Sequence, residues 1–102
     1  MEEFTVGENT FRIKKMNAIE ILALRGQITF DNFEATQNAY LELLSRVEVK
    51  IKDQWLAVRQ GNEFYPKGID EDVKAIETII LKVMSYLKEV FQKSNTSKKE
   101  TE

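Results

Sequence analysis

The stretch IDEDVKAIETIILKVMSYLKEVFQKS, residues 69–94, constrains the fold more than any other part of the chain. Val73, Ile76, Ile80, Val83, Leu87 and Val90 recur in steps of three and four, which places them on one face of a helix. Ile79, Met84, Tyr86 and Phe91 widen that seam beyond half of the circumference. Asp70 is positioned to cap the helix, with Glu71 and Asp72 in its electropositive first turn. About 25 residues at the standard rise make a rod of roughly 37 Å, against which the rest of the chain must pack.

Two shorter helices are expected before it. In MNAIEILALRG, Asn17 and Glu20 have capping-box spacing, Met16 is placed to pack on Ile21, and Gly26 suits a left-handed stop. In FDNFEATQNAYLELLSRV, Asp31 and Glu34 repeat the cap spacing, and Phe33, Thr36, Tyr40, Leu44 and Val47 form a helical stripe.

Elsewhere the apolar period is two. Phe4 and Val6, then Phe11 and Ile13, alternate with polar residues on either side of a turn at Gly7 to Asn9, which predicts a hairpin. Val47, Val49 and Ile51 alternate with Glu48, Lys50 and Lys52, which predicts a second hairpin returning through QWLAV. A two- or four-residue loop there buries Leu56 and Val58 and leaves the only tryptophan, Trp55, beside the lysines; a three-residue loop turns Trp55 inward. The even loop is favoured, since it buries two apolar side chains. RQGNEFYPKG reads as an irregular connection.

The expected fold class is therefore α+β: three helices, the last one long, with a small antiparallel sheet from two hairpins. One globular domain is expected over residues 1–93, followed by a disordered polar tail, SNTSKKETE, over 94–102.

Composition narrows the chemistry. The chain has no histidine and no cysteine, so the commonest general base, the commonest metal ligand and the thiolate nucleophile are all missing. The serines have no adjacent activating base, the carboxylate pairs Glu2–Glu3 and Glu71–Asp72 sit where acids normally face water, and the four glycines do not form a phosphate-binding loop. No enzyme, no cofactor and no metal are expected. A net charge of −2 gives little of the phosphate neutralisation that nucleic-acid binding requires, although Lys14, Lys15, Lys50, Lys52 and Arg59 would supply a basic face for that competing role. MEEFTVGENT has no signal-peptide pattern and no apolar run spans a bilayer, so a cytoplasmic protein with no membrane partner is expected.

What remains is surface for partners. The flank with Met84, Tyr86 and Phe91 is a candidate contact area, weighed against burial on the shorter helices and the sheet. Trp55, Phe64 and Tyr65 form a second candidate patch, weighed against a role in closing the core. A strict helical seam also suits pairing with another copy, so a homo-oligomer is expected.

Across residues 10 to 95, IKKMNAIEILALRGQITFDNF, VKIKDQWLAVRQGNEFYP and LKEVFQKSN resemble, in element order, size and phrasing, the small tail assembly chaperones of long-tailed phages and prophages of Gram-positive hosts. The resemblance implies a non-enzymatic protein in the host cytoplasm that coats the tape measure protein before the tail tube polymerises. It also implies self-association, and a frameshifted longer form that recruits tail-tube subunits. Two hairpins make this chain more mixed than all-helical members. The competing phage reading is a connector or tail-completion subunit retained in the virion.

Overall fold

The computed structural model describes the backbone of residues 3–101 and the side chains of residues 3–93. The expected polar tail over 94–102 lies outside the described side chains. Strands β1 (Glu3–Val6) and β2 (Asn9–Ile13) are followed by helices α1 (Ala18–Gln27) and α2 (Phe33–Leu44). Strands β3 (Val47–Ile51), β4 (Gln54–Ala57), β5 (Arg59–Gln60) and β6 (Glu63–Phe64) come next. A short 3-10 turn at Ile69–Glu71 leads into α3 (Val73–Thr101).

β1 to β4 form one antiparallel sheet in sequence order, with α1 and α2 inserted between its central strands. The register explains why. Phe4, Phe11, Val49 and Leu56 pair in one row across the four strands, and Glu3, Arg12, Glu48 and Ala57 pair in the next. Successive side chains point to opposite faces, so the first row lies on the core side and the second on the outer side. The core cluster gathers Phe11, Ile13, Val47 and Val49 from the sheet and Val58 from the link between β4 and β5 with Ile21 and Leu24 of α1, Leu43 and Leu44 of α2, and Ile79, Ile80, Val83 and Leu87 of α3. All three helices thus cover one face, and the other carries Arg12, Glu48, Lys50 and Trp55.

The turn at Lys52 and Asp53 has two residues, because Ile51 pairs with Gln54. This is the even loop: Val58 is fully buried and Trp55 pairs with Lys50. Both turn residues have positive φ, 49° and 67°, which matches the twist of the flanking strands at some conformational cost for side chains other than glycine. In the first hairpin Gly7 takes the positive φ instead.

Several local expectations shift. Asn17 and Glu20 do form the capping box, but α1 continues past Gly26 to Gln27, and Ile28 ends it in an extended conformation. Asn32, not Asp31, caps α2 by accepting from the Ala35 amide at 2.8 Å. Asp72, not Asp70, caps α3 by accepting from the Ala75 amide at 3.1 Å, since residues 69–71 form their own tight turn. RQGNEF is not irregular: β5 and β6 pair through a Gly61–Asn62 turn as a separate two-stranded sheet.

The α2 stripe emerges from the core. Exposure along it rises from 3% at Leu44 to 41% at Tyr40 and 82% at Phe33. Ser45 and Arg46 tie the end of α2 directly to β3, so its C-terminal turn is pinned against the sheet. Ala39 and Leu43 supply the buried face, and the aromatic flank extends beyond what the core covers.

Candidate functional site

α3 carries exposed apolar side chains beside its buried face. Ile79, Ile80, Val83 and Leu87 are buried, whereas Leu81 is 58% and Met84 38% exposed. On one side α3 and the edge strand β1 border a groove of about 740 Å³, whose apolar lining comes from Phe4, Ile13, Leu81 and Tyr86. Lys82, Glu3 and Glu89 stand on the same lining, with the Lys82 ammonium 5.8 Å from the centroid of the Phe4 ring. Phe4 itself stacks on Phe11 at 5.7 Å between centroids, which connects the groove wall to the core.

The six residues expected to bind partners do not form two patches. Met84 and Tyr86, two positions apart, point about 160° away from each other round a helix of 3.6 residues per turn. Tyr86 lines the groove beside β1. Phe91 is partly buried beneath the Arg25 guanidinium, 4.6 Å from its ring centroid, so it packs towards α1. Met84 keeps the open position.

Trp55 is also separated from Phe64 and Tyr65. It lies half-buried on the outer face of the sheet with the Arg12 guanidinium 4.1 Å from its centroid, and Arg12 Nε donates to Glu48 Oε1 at 2.8 Å. Phe64 and Tyr65 pack against the core cluster instead. Sequence reasoning missed Leu81, whose step from Ile80 falls outside the seam, and Phe4 as a groove wall. The exposed triplet Phe30, Phe33 and Tyr40 was equally hidden, because periodicity identifies a stripe but not where its cover stops.

Polar side chains tie neighbouring elements together. Arg46 Nη2 donates to Glu42 at 3.0 Å and its Nη1 lies 3.9 Å from Glu20, the capping-box carboxylate, so one guanidinium joins the start of α1 to the end of α2. Ser45 donates to the Leu41 carbonyl and accepts from Arg59, an arrangement without a base to activate its hydroxyl. Among the described residues no group of three or more carboxylates gathers to hold a metal, and no helix is long and apolar enough to cross a membrane.

No protein-family model matches the chain, and no curated protein and no solved structure matches it either.

Proposed function

We propose that this chain is a non-enzymatic tail assembly chaperone that covers an apolar helical client, the tape measure protein, in the cytoplasm of a bacterial host before the tail tube polymerises. The observation that carries the reading is that Leu81, at the rim of the β1 groove, and Met84, three residues on, both remain open, although the same helix is anchored by Ile79, Val83 and Leu87. A rigid helix backed by a sheet presents such side chains at helical spacing, the geometry with which amphipathic helices are held. The resemblance in phrasing over residues 10 to 95 is what points to the tape measure protein as the client. Self-association and recruitment of tail-tube subunits by a longer form belong to the same proposal, and so does the absence of nucleic acid and membrane from its partners.

Leu81 and Met84 cover only part of a specific interface of about 800 Å² per partner. Many copies along one long client would compensate through avidity. The test is co-expression of the full chain with a tape measure fragment, followed by affinity capture and by mass spectrometry of purified virions. Capture of the fragment together with absence from virions is the expected result. Failure to capture it would contradict the reading, and stoichiometric presence in virions would favour a retained connector or tail-completion subunit.

A further inference from the structure

A second surface lies outside α3. Phe30 in the α1–α2 connection and Phe33 and Tyr40, two turns apart on one face of α2, are exposed. Phe30 and Tyr40 pack on each other, with centroids 6.0 Å apart and rings tilted by 53°, and none of the three is a buried member of the core cluster. Phe33 opens the first turn of α2, held there by the Asn32 cap. At about 200 Å² per ring, these exposures amount to roughly 350 Å² of aromatic surface, the size of the largest apolar patch on an ordinary monomer, which is often a functional one.

The segment that bears these rings carries charge of one sign. Between Arg25 and Arg46 the chain contains Asp31, Glu34 and Glu42 and not a single lysine or arginine. Glu42 is paired with Arg46, whereas the exposed Asp31 and Glu34 flank Phe33 in sequence. Aromatic faces attract cations through their quadrupole, and the two carboxylates add a Coulombic attraction of the same sense.

We propose that Phe30, Phe33 and Tyr40, with Asp31 and Glu34, form a docking surface for a cationic amphipathic helix of a partner protein. Its apolar side chains would cover the rings while its lysines or arginines meet the carboxylates and ring faces. This surface is independent of the α3 side, so either proposal can stand without the other.

The test titrates the full ¹⁵N-labelled chain with two synthetic helices of equal length, one built from leucine and lysine and one from leucine and glutamate. Saturable binding of the lysine helix alone is expected, with amide shifts concentrated in residues 28–41. Phe33→Ala with Tyr40→Ala should weaken it at least about tenfold, since aromatic anchors dominate interfaces. Asp31→Asn with Glu34→Gln, which keeps the rings, should weaken it by about threefold, the scale of exposed charge pairs. All four substitutions fall on exposed side chains, and circular dichroism checks that each variant stays folded. Equal binding of both helices, shifts centred elsewhere, or affinity unchanged by the aromatic substitutions would overturn the proposal. So would a self-association, seen by light scattering, that the aromatic substitutions abolish, because the surface would then belong to a second copy.

Discussion

The Arg12 guanidinium stacks over Trp55, 4.1 Å from the ring centroid, across the strand that lies between them. Arg12 is held by Glu48 at 2.8 Å, and its guanidinium covers one face of the half-buried indole. Arg12→Ala should destabilise the fold by about 1 kcal/mol, the sum of a partly exposed ion pair and a surface cation–π contact. As Trp55 is the only tryptophan, its emission reports directly. A red shift with easier iodide quenching is expected at denaturant concentrations where the fold persists, and an unchanged spectrum would mean that Arg12 does not shield the ring.

The turn at Lys52 and Asp53 stores a cost that substitution can remove. Both have positive φ, a conformation unfavourable by about 1 kcal/mol for such residues and free for glycine. Lys52→Asn with Asp53→Gly should therefore raise stability by about 0.5–1 kcal/mol. In urea titrations the midpoint should rise with no change in slope. Lower stability would show that these side chains contribute more than the turn geometry costs.

Leu43 and Leu22 separate core from surface on residues of the same type. Leu43 of α2 is fully buried in the core cluster, so Leu43→Ala should cost about 2–5 kcal/mol. Leu22 lies on the open side of α1, and Leu22→Ala should stay within about 0.5 kcal/mol. Equal losses in thermal unfolding would place α1 differently from the arrangement described here.

The α1 capping box is a local test of the same fold. Asn17 accepts from the Glu20 amide at 2.8 Å and Glu20 accepts from the Asn17 amide at 3.2 Å. Asn17→Ala should cost about 1 kcal/mol. Glu20→Ala should cost as much or more, because Glu20 also faces Arg46 at 3.9 Å.

Much of this architecture was legible because local chemistry and tertiary placement agree. The alternation at Val47, Val49 and Ile51 set the strand and its inner face, and the choice of an even loop then placed Trp55 outside. Asn17 and Glu20 formed the cap their spacing implied. The Asp31 and Asp70 assignments slipped by one and two residues, because a second good cap, Asn32 or Asp72, followed within reach and the helix began at the later one. Gly61–Asn62 carried a hairpin signal, but two-residue strands leave no alternation to detect. The open surfaces were the least legible. Helical period gives the azimuth of Phe33, Met84 and Tyr86, whereas exposure depends on where neighbouring elements end, and no local pattern encodes that.

In the proposed complex the client sits on the α3 surface that holds Leu81 and Met84. Isothermal titration of a tape measure fragment into the wild-type chain and into Leu81→Asp with Met84→Asp measures this directly. The substitutions fall on exposed positions, so the domain should stay folded, while affinity drops at least about tenfold and the negative heat-capacity change of binding shrinks. Affinity and heat-capacity change equal to wild type in a folded variant would contradict it.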